Sequence, residues 1–236
     1  MGTLGRKMPR PLRPRAGQRA RPTPRKRGDL PREVLDDLRR STRPTDQPTA
    51  ESRLSRAIEL LQRGDPGGAV AEAEKVKALA SRSAAAREVL GLAYYAAGRW
   101  KDAVAELKAY RRMTGRQDQN HVIADALRGL GRPGEAVPLA EEELRAKVSN
   151  EAKAEAVVVA ASALADQGRF AEALAFLGRA RTKDDVAEPY TLRLWYVRGD
   201  ILDRAGRSEE AAVEFRRILR HDIGAFDAAE RLAQLS

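Results

Sequence analysis

The chemistry open to this 236-residue sequence starts with two imidazoles, His121 and His221. Neither belongs to an HExxH pattern or has a second histidine at metal-ligand spacing. There is no cysteine, which excludes thiolate catalysis, disulfides and cysteine zinc sites. No glycine-rich loop ends in Gly-Lys-Ser or Gly-Lys-Thr to cradle phosphates, and no GxSxG elbow presents a nucleophile. The adjacent carboxylates Asp184–Asp185 and Glu209–Glu210 read as loop and first-turn residues rather than an acid–base pair. His121 falls inside a helix and reads as a polar contact. His221 lies near a helix C-terminus, where a cation meets the helix dipole favourably. We therefore expect a non-enzymatic chain with no metal and no cofactor.

What remains is charge and surface. The net charge of +10 has a location. Residues 1–28 hold ten Lys or Arg and no acid, and residues 29–236 are formally neutral, with 34 cations and 34 anions. The segment is rich in Pro and Gly as well, which block helix while the like charges repel, so it reads as a disordered tail. Arg10, Arg13, Arg15, Arg19, Arg21, Arg25, Lys26 and Arg27 could contact a polyanion such as RNA in a salt-sensitive, sequence-independent way. The tail lacks aromatic residues for base stacking. No membrane span is expected, because the longest small-apolar run, 156–165, is far short of the roughly 20 residues required. A secretory leader is not apparent, and Arg6 stands where a myristoylation motif wants Ser or Thr. A cytoplasmic location is the default expectation.

These residues must be positioned by helices. Residues 29–40 pattern as a short amphipathic helix, with Leu30, Val34, Leu35 and Leu38 on one face and Pro31 in the first turn. Residues 41–49 read as a linker, making 29–49 one unit and 50–236 the main domain. From residue 50 the sequence repeats. Glycines recur at 64, 98, 131, 168 and 206. Five residues after each stands an alanine: Ala69, Ala103, Ala136, Ala173 and Ala211. Seven before each comes a small residue: Ala57, Gly91, Ala124, Ala161 or Gly199. Four before each comes a bulky one: Leu60, Tyr94, Leu127, Leu164 or Leu202. Each unit is thus a helix ending at a left-handed glycine, a turn, and a second helix whose alanine lets the two backbones approach. Helices are expected near 51–63, 67–80, 84–97, 100–114, 118–130, 133–147, 150–167, 170–181, 188–205 and 208–220. A last helix over 224–235 would cap the array, with Phe226, Leu232 and Leu235 inward and Asp227, Glu230 and Arg231 in water.

A period near 34 with these markers resembles the tetratricopeptide repeat. The match is best over 89–112, VLGLAYYAAGRWKDAVAELKAYRR, and covers about residues 50–221. The stretches RRMTG and ALRGLGRPGEAVPLA are also similar to actinobacterial proteins of this family that carry a basic tail. The early tryptophan occurs only as Trp195, and the closing proline is missing from every repeat. The resemblance implies an all-α, right-handed α-solenoid of about five helix-turn-helix repeats, whose first helices line a concave groove for protein segments. On that geometry the groove is apolar at its start, with Leu54, Ile58, Leu61, Leu92 and Tyr95. It is polar further on, with His121, Asp125, Arg128, Asp166, Tyr196, Asp200 and Asp203. Asp and Tyr there suit a partner bearing Arg or Lys.

The expected function is a protein-binding scaffold, with self-association left open. The tail would regulate it, by visiting the groove, or contact polyanions. The alternative is a protein associated with RNA or the ribosome through the tail. The short helix over 30–38 would cover the apolar start of the array.

Overall fold

In a computed structural model, residues 30–180 and 188–235 are described; the basic tail and Asp184–Asp185 lie outside them. Among the described residues there are twelve α-helices and no strand. They are α1 (Arg32–Ser41), α2 (Gln47–Gln62), α3 (Pro66–Leu79), α4 (Ala84–Ala96), α5 (Trp100–Thr114) and α6 (Asn120–Gly129). The second half holds α7 (Ala136–Arg145), α8 (Asn150–Asp166), α9 (Phe170–Leu177), α10 (Pro189–Arg204), α11 (Ser208–His221) and α12 (Ala228–Gln234).

The repeat markers do what their chemistry demands. Each of the five glycines takes a left-handed conformation, with φ between 74° and 78°, which side chains rarely adopt. The five alanines that follow are wholly buried. At Gly91 the close approach is explicit: an added Cβ would lie 2.6 Å from Leu107 Cγ. Short polar side chains cap three helices, Asp65 taking the Gly68 amide, Ser83 that of Ala86 and Ser149 that of Ala152.

Several boundaries depart from expectation: α1 begins only at Arg32, α7 spans only Ala136–Arg145 and α9 stops at Leu177, and two further departures have a plain cause. The supposed linker 41–49 is largely helical: a single 3-10 turn, Pro44–Asp46, leads into α2 at Gln47. Pro44 and Pro48 sit in first turns, where a missing N–H costs nothing, so proline opens these helices rather than breaking the chain. The capping helix is shorter than expected, because Phe226 takes a positive φ of 55° and α12 begins only at Ala228.

The first helices α2, α4, α6, α8 and α10 touch one another in order, and no comparable contact joins successive second helices among the described residues. The row that packs together lies on the inside of the curve. The core is divided. One large cluster spans α1 to α5 and takes in Ala126 of α6, another spans α7 to α12, and two small clusters, built on Leu107–Ile123–Leu127 and on Ala124–Ala136–Val159–Ala163, lie between them.

Candidate functional site: the inner face of the helical array

Aligned on their glycines, the five first helices place Leu54, Glu88, His121, Val158 and Tyr196 at one position. Ile58, Leu92, Asp125, Ser162 and Asp200 stand one turn on, and Leu61, Tyr95, Arg128, Ala165 and Asp203 follow. Asp166 and Arg204 come next to the last set. The sequence-derived groove residues therefore share one face, but they are not equally available.

Leu54 is a correction. It is wholly buried in the same core as Leu38 and is not open on the inner face. Ile58 and Leu61 are half-buried against that core, and Leu92 and Tyr95 lie half-buried against the next cluster. Tyr196 is also buried, 3% exposed, under Phe226, whose ring centroid is 4.8 Å away.

The acidic side chains are answered within the chain. The Tyr95 hydroxyl donates to Asp125 Oδ2, and Arg128 Nη1 reaches Asp125 Oδ1 at 2.6 Å. Arg128 also reaches Asp166 Oδ2 at 2.8 Å, crossing from α6 to α8. Arg204 Nη2 meets Asp166 Oδ1 at 3.2 Å, crossing from α10. Arg231 of α12 then closes on Asp200 and Asp203, both at 2.9 Å. The result is an alternating ladder of anions and cations across three first helices, α6, α8 and α10, and the cap, with the Tyr95 hydroxyl of α4 at its start. Arg231, expected in water, is pulled inward by the two aspartates that α10 presents one turn apart. Asp227, expected in water too, is exposed but accepts from the Tyr196 hydroxyl at 2.6 Å.

Electrostatics follow from this arrangement. Burial would lower Arg128, but Asp125 and Asp166 outweigh it and hold its guanidinium above the usual value. Burial likewise works against Arg231, and Asp200 and Asp203 reverse it. The Tyr95 phenol is pushed up by burial and then by the Asp125 charge. Tyr196 is raised by burial and by its bond to Asp227.

His121 is held by a residue the sequence did not single out. Glu143 of α7 is fully buried and accepts from the His121 backbone N–H at 2.7 Å, with the imidazole Nδ1 2.8 Å from its second oxygen. It thereby serves an otherwise orphaned amide at the start of α6. Glu155 of α8, also unmarked, lies 2.9 Å from Arg193 of α10, and burial raises its carboxyl despite that cation. For this pair the available signal was register: Glu155 and Arg193 both stand thirteen residues before their repeat's glycine, with opposite charge. Among the described residues, no group of three or more His, Asp or Glu could hold a metal ion, and no helix is long and apolar enough to cross a membrane.

Stacked helical hairpins with an inner polar row define an α-solenoid of the repeat-protein class. The tetratricopeptide repeat profile matches residues 54–118 and 121–188, and the chain belongs to that family. Among solved structures it is similar to TTC0263, a thermophilic tetratricopeptide protein of Thermus thermophilus. The TM-score is 0.63 at 17% identity, over 79% of this chain and 98% of that one. It is similar to YrrB, a tetratricopeptide protein with an unusual peptide-binding site, with a TM-score of 0.50 at 19% identity over 77% and 90%. It also matches the quorum sensor NprR from B. thuringiensis, with a TM-score of 0.64 at 16% identity over 86% and 62%. No curated protein matches the sequence.

Proposed function

We propose that the chain is a non-catalytic cytoplasmic scaffold that binds a protein segment on the middle of its inner face. The observation that carries this reading is a patch of half-buried side chains there: Glu88, Leu92, Tyr95, His121, Glu155 and Arg193. It offers an aliphatic and an aromatic surface beside polar groups, which suits a peptide that inserts an apolar side chain and hydrogen-bonds around it. The peptide-binding site for which YrrB is described gives the reading a precedent on the same fold. Selectivity for an Arg- or Lys-bearing partner finds no free acid in the ladder. Asp125, Asp166, Asp200 and Asp203 already face Arg128, Arg204 and Arg231.

Panning a displayed random-peptide library on the protein tests this. Selected peptides should bind the wild type and lose at least about ten-fold in affinity on Leu92→Arg, the cost of one well-placed apolar contact. Binding that is indifferent to Leu92→Arg and to Tyr95→Ala would overturn the site.

The ten cations of residues 1–28 favour a second reading, polyanion contact by the tail. Removing 1–28 should then abolish a steeply salt-dependent RNA affinity; no RNA binding at low salt would end it.

A further inference from the structure

The inner face is already occupied at its beginning. Helix α1 makes its contacts with α2 and α4, both inner-row helices. Leu38 is wholly buried, and Val34, one turn earlier, and Leu30, just before the helix begins, pack against the same core as Leu54. The carboxylate of Asp37 accepts from the Ser83 hydroxyl at 2.5 Å and from the Ala85 backbone N–H at 3.1 Å. It thus caps α4 from outside the helix, beside the cap that Ser83 supplies itself. Leu54 is wholly buried where Glu88 and His121, at the same position of the next two repeats, are half-buried; Val158 there is buried within its own cluster, and Tyr196 lies under Phe226 before the cap.

Apart from Leu38, the two Asp37 bonds and a bond of 3.3 Å from the Gln47 side-chain amide to the Arg39 carbonyl, the polar attachment is slight. Two of the ion pairs of α1, Arg32–Asp36 and Arg39–Asp36, lie within α1 itself. Arg39–Glu51, at 3.8 Å between half-exposed side chains, reaches across and adds little. A ten-residue helix is marginal without its dock.

We propose that the surface formed by α2 and the start of α4 is a cradle for an amphipathic helix. Its resident is α1, and a partner helix with aliphatic residues at i and i+4, a carboxylate at i+3 and a further aliphatic residue just before its first turn replaces it. This rests on the reading that the inner face binds protein segments, and adds the conformation and side-chain pattern of the partner. The tethered α1 competes at high effective concentration, so a partner's apparent affinity is reduced by the fraction of chains in which the cradle is open.

The test uses the full chain and a fluorescent peptide copying residues 29–42. Leu38→Asp should undock α1 and leave the cradle free. The peptide should then bind at least about ten-fold more tightly to this variant than to the wild type, because the occupancy penalty is removed. The same peptide carrying Leu38→Asp should bind neither. Equal or absent binding to a Leu38→Asp chain that keeps the wild-type cooperative melt overturns the proposal.

If that variant fails to melt cooperatively, hydrogen exchange on the wild type decides instead. Excess peptide must speed exchange of the amides at 34–40, and unchanged exchange overturns the proposal. Library peptides that still depend on Leu92 when the helix peptide fails would reject the cradle alone and leave the central patch standing.

Discussion

Arg128→Met isolates what the ladder contributes. The substitution keeps an unbranched apolar stem and removes the guanidinium that joins α6 to α8. Asp125 and Asp166, 7% and 6% exposed in their side chains, lose the cation between them. Removing one partner from a buried ion pair costs about 3–5 kcal/mol, chiefly because the remaining charge is stranded. Two contacts soften the loss, since Asp125 keeps the Tyr95 hydroxyl and Asp166 keeps Arg204. We expect a loss of about 3 kcal/mol at neutral pH. That is a large share of the roughly 5–15 kcal/mol that holds a domain together. Urea unfolding followed by circular dichroism measures it. Adding Asp166→Asn should recover part of the loss, since a neutral amide needs no cation; a double-mutant cycle reports the coupling. The penalty should change little between low and high salt, because buried pairs are poorly screened. A loss below about 1 kcal/mol, the range of an exposed pair, would refute the claim that the inner face depends on this cation.

Two further outcomes follow from packing and burial. Gly91→Ala places a methyl 2.6 Å from Leu107 Cγ and 3.3 Å from its backbone nitrogen. Overpacking of about 1–3 kcal/mol should exceed the gain in helix propensity of up to about 1 kcal/mol, giving a lower melting temperature; an unchanged or higher one would contradict the close approach. Burial raises the Glu88 carboxyl, chiefly by desolvation and against its bond to Gln119. A raised folded-state value means that its contribution is fully present below the unfolded carboxylate range and lost as pH rises through the folded one. Glu88→Gln should therefore be more stable than wild type near pH 7–8, with the gap closing as the pH falls toward the ordinary glutamate range. Parallel melts that never converge would contradict it.

Much of the fold was legible because repetition multiplies weak signals. A single glycine says little, but Gly64, Gly98, Gly131, Gly168 and Gly206 at matched offsets from small and bulky partners fix where hairpins turn and which faces meet. The stripe of Leu30, Val34, Leu35 and Leu38 likewise implies a docking surface; in the structure Val34 and Leu38 of α1 and Leu30 just before it pack against the core shared with α2 and α4. The site was less legible, for a physical reason. Sequence register puts Asp125, Asp166, Asp200 and Asp203 on one face but does not say what lies opposite. Asp125 is answered from its own helix by Arg128, Asp166 by Arg128 and Arg204, each 38 residues away, and Asp200 and Asp203 by Arg231, 31 and 28 residues away. Leu54 carried the same ambiguity, since an apolar residue at a groove position reads alike whether a ligand or the chain's own helix covers it. Glu143 gave no pattern at all, because its role depends on how α7 crosses the start of α6.

The divided core has a mechanical meaning. Each end of the array is bound by a large apolar cluster, to which the third repeat, α6 and α7, gives only Ala126 and Ala140 from its buried apolar residues, so the packing that would resist bending is thinnest there. Flexing would concentrate at α6 and α7, where Arg128 reaches across to Asp166 of α8 like a rivet. A ligand gripping both Leu92 and Arg193 would bridge that joint and act as a splint, so its binding energy would be partly spent on setting the curvature of the whole array.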